Sequence, residues 1–185
     1  MTLTFLVALY ACNCATKPQQ KILTVPITNH AAFHLLPPLQ SGTPVDMAQR
    51  ILGKYNGHEY TFTVWTISNA TMLSITLMND MGNGIGELTY TGNSIAYSSN
   101  FITLPVRPEY IAADFQLCFY DIGALSTALK KIGLTFIFEK TEKLEIRRVF
   151  DGENIIIEIK KINGTLFYTN FLRSYNYIIT GDLNA

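Results

Sequence analysis

Three sets of residues in this chain could do chemistry: a histidine pair, an aspartate pair and a cysteine near the N-terminus. His30 and His34 are four apart, a spacing that puts two metal ligands on one face of a helix. Pro26, Pro37 and Pro38 argue against a helix there, and the remaining histidine, His58, stands beside a hairpin turn. A metal site is therefore not expected. Asp114 and Asp121 could form an acid pair, but capping and solvent-facing roles are commoner for such residues. No serine stands in a Gly-x-Ser-x-Gly setting. The run Met81-Gly82-Asn83-Gly84-Ile85-Gly86 lacks the register of a phosphate-binding loop and joins two strand patterns, so it reads as a hairpin loop. Arg147 and Arg148 would point to opposite faces of a strand, which makes no basic patch. The chain is expected to be no enzyme and to need neither cofactor nor metal.

Cys12 is the exception. It ends an apolar run from Leu3 to Ala11 and is followed by Asn13, then Thr16, Lys17, Pro18, Gln19 and Gln20. An apolar run that closes on a small residue has the shape of a secretory signal at its processing site. Leu9-Tyr10-Ala11-Cys12 resembles a bacterial lipobox, in which the cysteine becomes the lipid-bearing first residue. Cys14 is a competitor, preceded by Asn13. Residues 1–12 then form a signal segment. Acyl chains on Cys12, each contributing about 0.8 kcal/mol per buried methylene, would hold the protein to a bilayer without a transmembrane helix.

Composition limits the remaining choices. Fourteen basic and fourteen acidic residues balance, so no electrostatic footprint for nucleic acid exists. Aromatic content is 12%, with eleven Phe and ten Tyr, which suits a β-rich fold and hints at an apolar cavity. Beyond the leader, Cys118 stands alone and reads as a small core residue.

The elements that must position these residues follow from periodicity. Residues 13–44 hold Pro18, Pro26, Pro37, Pro38 and Pro44 and read as a proline-rich tether leading irregularly into the fold. Residues 45–185 read as one domain. Alternation and turn signals predict strands over Asp46–Tyr55, Glu59–Ile67, Met72–Met78, Ile85–Tyr90 and Ser94–Ser98, with an Asn56-Gly57 hairpin turn after the first. Helical spacing then predicts Pro108–Phe119, where the alternation of Phe115, Leu117 and Phe119 would also suit a strand, and Ile122–Ile132, the second capped by Asp121 and stopped by Gly133. Strands resume over Leu134–Glu139, Leu144–Phe150, Asn154–Ile162, Thr165–Tyr168 and Arg173–Thr180. The order is meander, helical hairpin, meander. That is an α+β class, mainly antiparallel β, with one curved sheet and the helices on its concave side.

The lipobox, the proline-rich tether, "MAQRILGKYNGHEYTFTVW", "ADFQLCFYDIGALSTAL" and the terminal "NYIITG" resemble a family of bacterial lipoproteins filed as a domain of unknown function. The resemblance spans about residues 40 to 181. That family often sits in gene clusters for aryl-polyene or flexirubin-type pigments. Its fold is thought similar to the lipoprotein-localisation proteins LolA and LolB, half-open β-barrels whose apolar concavity, lidded by helices, receives acyl chains.

By that resemblance the chain is expected at the periplasmic face of the bacterial outer membrane, held by its N-terminal lipid. It would bind or transfer a lipid-like or acylated ligand, a polyene pigment intermediate in particular. Protein partners would belong to a pigment or lipid export pathway, and nucleic acid is not a partner. Candidate lining residues are Phe62, Val64, Leu73, Ile75, Leu77, Leu88, Tyr90, Phe136, Phe138, Ile155, Ile157, Ile159, Phe167, Tyr175 and Tyr177. Which sheet face is concave is left open by the pattern, and for each of these an ordinary packed core is the rival reading. The alternative function is a structural or assembly lipoprotein that docks a protein partner and holds no ligand.

Overall fold

The computed structural model describes residues 23–38, 44–55, 57–99 and 107–183. The leader, with Cys12 and Cys14, lies outside the described residues. So do residues 13–22 and 39–43 of the tether, and Asn56.

Two short strands come first, β1 (Thr24–Pro26) and β2 (Ala32–His34), paired antiparallel. A meander follows: β3 (Val45–Tyr55), β4 (His58–Ser68), β5 (Leu73–Met78), β6 (Gly84–Tyr90) and β7 (Ile95–Ser98). Two helices come next, α1 (Pro108–Phe119) and α2 (Ile122–Lys131). A second meander closes the chain: β8 (Thr135–Lys140), β9 (Leu144–Asp151), β10 (Asn154–Ile162), β11 (Thr165–Asn170) and β12 (Tyr175–Gly181). The two meanders join through β3 and β12 into one ten-stranded antiparallel sheet, in the order β7-β6-β5-β4-β3-β12-β11-β10-β9-β8. The fold is thus mainly antiparallel β with two helices, as predicted. The sheet is not closed into a barrel, since β7 and β8 are both edges.

Local chemistry explains the joints. Asn163 and Gly164 have φ of 50° and 73°, the pair of positive values that a two-residue hairpin turn needs. Pro108 opens α1, where its missing N–H costs nothing. The Asp121 carboxylate accepts from the Ala124 N–H at 2.8 Å and caps α2.

No regular element is expected between 13 and 44, yet β1 and β2 are there. Val25, Ile27, Phe33 and Leu35 of this hairpin are all buried. It packs on the side of α1 away from the sheet. The Gln116 amide spans the gap, accepting from the Leu36 N–H and donating to the Leu36 carbonyl, both at 2.8 Å. Tyr90 from β6 donates to the same carbonyl at 3.0 Å. Helix α1 is therefore enclosed on both sides, and residues Ala112 through Cys118 are buried without a break. A helix buried all round lies inside a core rather than on its surface.

Gly181 sets how β12 leaves the sheet. Its φ is +108°, and a Cβ there would stand 2.7 Å from the Ala48 carbonyl oxygen. Gly53, in β3, has nothing nearer than 4.0 Å. Gly181→Ala should therefore cost about 2 kcal/mol of stability, while Gly53→Ala should be neutral or stabilising. Urea unfolding of the two variants checks this; equal midpoints would refute the placement of Gly181.

Candidate functional site

An apolar cavity of about 170 Å³ lies between α1 and the central strands. The sheet supplies Ile51, Gly53 and Tyr55 from β3, Tyr60, Phe62, Val64 and Thr66 from β4, Ile75 and Leu77 from β5, and Tyr175, Tyr177 and Ile179 from β12. The helix supplies Ile111, Asp114, Phe115, Cys118 and Phe119. The registers explain the grouping. Ile51 stands opposite Phe62 and Ile179, and Val64 opposite Leu77, so alternate residues of four adjacent strands share one face. Gly53, opposite Tyr60 and Tyr177, contributes no side chain and leaves room.

At the edge of this cavity sits a buried carboxylate. Asp114 lies on the inner face of α1 and accepts three phenolic hydroxyls. Tyr168 donates to Oδ1 at 2.5 Å, Tyr175 to Oδ2 at 2.8 Å, and Tyr177 also to Oδ2. Tyr168 and Tyr177 are cross-strand partners, which stacks their rings at 4.5 Å between centroids. Tyr175 stacks on both at 5.8 Å. Burial pushes the Asp114 carboxyl up to about 6, against the three phenolic hydrogen bonds and the Arg173 charge that pull it down. Burial also drives the three phenols upward, and the neighbouring carboxylate adds to it. The tyrosines therefore stay protonated donors. Burial raises the Cys118 thiol as well, so it is an inert core thiol rather than a nucleophile.

Arg173 braces this cluster from outside. Its guanidinium lies 4.6 Å from the Tyr110 ring centroid and donates to the Pro26 carbonyl at 2.6 Å. It thus ties β1, the start of α1 and the β11–β12 loop together.

A second cavity, of about 420 Å³, adjoins the first across Cys118 and Phe119. Its walls are charged: Lys140, Glu145, Arg147 and Lys161, with Ile159, Leu166 and Leu183. Arg147 donates to the carbonyls of Leu117 and Tyr120 at 3.1 Å each and pairs with Glu145 at 3.2 Å. It caps the end of α1. Lys140 stands 3.7 Å from Glu145, and Lys161 donates to the Leu183 carbonyl at 2.6 Å.

The predicted lining residues divide. Phe62, Val64, Ile75, Leu77, Tyr175 and Tyr177 line the apolar cavity. Ile159 lines the charged one. Leu73, Leu88, Tyr90 and Ile157 face the same side but are packed core. Phe136 packs against that core from β8, and Phe138 lies under the Arg147 guanidinium at 6.0 Å. Phe167 and Ile155 are on the opposite, exposed face. Leu166 and Tyr168 take the inward phase of β11, so Phe167 between them must point out. In β10 a bulge between Ile155 and Ile157 shifts the register, which separates two residues of the same parity. The two aspartates do not pair: Asp121 caps α2, and Asp114 serves the tyrosines. His30 instead meets Asp151 at 3.3 Å. Among the described residues no three His, Cys, Asp or Glu side chains converge as a metal site would require.

The sequence pattern singles out neither the helical wall nor the role of Asp114 as acceptor of three tyrosine hydroxyls. The signal was present: Asp114 is three residues after Ile111 and four before Cys118, on the apolar stripe itself. A carboxylate there needs donors, and Tyr168, Tyr175 and Tyr177 are in the inward phase of their strands.

The Asp114 shift has a sign. A carboxyl raised from about 3.9 unfolded to about 6 folded gives stability that is fully present below pH 4 and lost as pH rises to 6. The lost amount is about 3 kcal/mol. Glu158 runs the other way: burial raises it, but hydrogen bonds from Lys160 and Arg148 outweigh that and hold it low. Comparing the protein with Asp114→Asn cancels Glu158 and every other group. Relative to the variant, the protein should lose stability between pH 4 and 6.5; parallel unfolding curves across that range would count against a raised Asp114.

No curated protein matches the chain. A family model does, over residues 46–181, from the start of β3 to the end of β12, so that the match takes in both meanders, the helices and every lining residue of the two cavities except Leu183. The chain belongs to the family described as a protein of unknown function (DUF3261).

Proposed function

We propose that this protein is a lipoprotein that binds a lipid-like or acylated ligand and hands it on, without catalysing a reaction. The observation that carries this reading is the apolar cavity beneath α1. Its walls are almost entirely carbon, and Gly53 keeps its centre clear. The size matters: a dry apolar cavity of roughly 150 Å³ takes up benzene, so about 170 Å³ suits one chain end or ring, not a whole diacyl lipid. Each methylene moved there from water contributes about 0.8 kcal/mol. On this reading the sheet is the half-open barrel of a LolA- or LolB-like carrier, α1 is the fixed roof of its cavity, and α2, with only Leu125 and Leu129 buried, is the part of the lid that moves about Asp121-Ile122-Gly123. Cys12 supplies the anchor at the periplasmic face of the outer membrane, and a polyene pigment intermediate is the specific ligand.

A second reading has one observation in its favour. Trp65 and Ile67 are exposed neighbours on the outward face of β4, at 46% and 37%. Exposed apolar side chains of this kind can dock a partner, as an assembly lipoprotein would. Crosslinking in the native membrane separates the two: a partner captured at Trp65, with no ligand in the cavity, favours docking.

Two tests follow for the first reading. Organic extracts of protein purified from its native membrane should contain a co-purifying lipid by mass spectrometry, and the protein should take up cis-parinaric acid. Gly53→Leu should sharply reduce that uptake, because a Cβ at Gly53 meets nothing nearer than 4.0 Å and a longer side chain there enters the cavity; an unchanged circular-dichroism spectrum shows that the variant is folded. Undiminished binding by Gly53→Leu would place the ligand elsewhere. Radiolabelled palmitate should be incorporated and should be lost in Cys12→Ser; loss in Cys14→Ser instead would move the anchor.

A further inference from the structure

The charged cavity beside the apolar one has no part in holding a hydrocarbon chain. Four ionisable side chains take inward positions of β8, β9 and β10, a face that elsewhere is core. Glu145 is the cross-strand partner of both Lys140 and Lys161. Charges are seldom placed on an inner face unless paired or serving a solvated site. Here three cations meet one carboxylate, and Ile159 and Leu166 form apolar walls behind them. Such walls concentrate the field of the excess positive charge within the cleft.

The three cations are not equivalent. Arg147 is committed to Glu145 and to the two carbonyls that end α1. Lys140 is held loosely, 3.7 Å from the same carboxylate, and Lys161 donates to a neutral carbonyl. The lysines can turn to an incoming anion while Arg147 keeps its structural bonds. Phe119 and Cys118 wall both cavities, so a molecule lying across them would have its tail among carbons and its head among ammonium groups.

We propose that the ligand is an acidic amphiphile, its anionic head group held by Lys140 and Lys161 and its chain in the cavity under α1. This rests on the reading of the apolar cavity as a ligand site, and it adds the head-group class. Carboxylate and phosphate heads share the required chemistry.

The test uses the full-length chain carrying Cys12→Ser, which keeps it free of its own acyl chains, and three probes of equal tail: decanoic acid, decyl phosphate and decanol. Calorimetric titration at low salt should show one or both acids binding about tenfold tighter than decanol, the effect of a charge-assisted hydrogen bond. That advantage should shrink as salt is raised. Lys161→Gln and Lys140→Gln should each reduce it while leaving decanol binding unchanged. The tighter acid identifies the head group as fatty-acid-like or phospholipid-like. Decanol binding as well as both acids, or an acid preference that survives both substitutions, would overturn the head-group site and leave the apolar site standing. Failure of all three probes to bind would overturn both.

Discussion

One buried carboxylate fixes the position of α1, and the site depends on where α1 sits. Removing Asp114 from water as an anion costs several kcal/mol unless donors replace the water. Three tyrosines from two adjacent strands do so. Hydrogen bonds are directional in a way that apolar contact is not. They therefore set the rotation of α1 about its axis and its depth against β11 and β12. The raised titration of Asp114 records the tension: three phenols do not fully offset complete burial.

The opposite side of α1 needs a second constraint, and the N-terminal hairpin supplies it. Gln116 faces away from the tyrosines and closes both polar groups of Leu36. Arg173 then links the hairpin to the loop beside the tyrosines. Side chains from the helix, the sheet and the β11–β12 loop thus converge on backbone groups of the hairpin segment. That explains why seven consecutive residues of a single helix can be buried without an unsatisfied carboxylate or amide among them. Helix α2 is different. Only Leu125 and Leu129 are buried, and its polar residues face water in the ordinary amphipathic way.

Most of the framework was legible in the sequence. Every strand of the ten and both helices were placed to within two residues, because Asn-Gly turns, strict alternation and the Asp121 cap are local signals. The pairing of β3 with β12 could not be read, since it joins residues far apart in the chain. The hairpin β1–β2 was hidden for another reason: strands of three residues flanked by prolines carry too little period to register. Phe167 and Ile155 were misplaced by phase. An aromatic residue next to two inward neighbours attracts attention that its parity does not support, and a bulge erases parity altogether. The sheet wall of the cavity was half found for the same reason that the sheet was found. The helical wall is not legible in the same way, because the spacing of Asp114 and Asp121 suggests an acid pair and masks Asp114 as a polar residue on an apolar stripe.

The carboxylate and the cavity belong to one physical argument. Apolar contact is non-directional, so an apolar helix resting on an apolar sheet would settle until the space between them closed. Here Ile111, Phe115, Cys118 and Phe119 face Ile51, Phe62, Val64 and Ile179, yet space remains between them. The helix cannot sink further at Asp114 without compressing three stacked tyrosine rings. At its C-terminal end Arg147 holds the Leu117 and Tyr120 carbonyls at a fixed distance from β9. Two polar supports, one near the middle of the helix and one at its end, thus hold an apolar span apart from an apolar surface. An open hydrocarbon cavity is the consequence, and the charged groups that maintain it are placed where they line its edge and its neighbour.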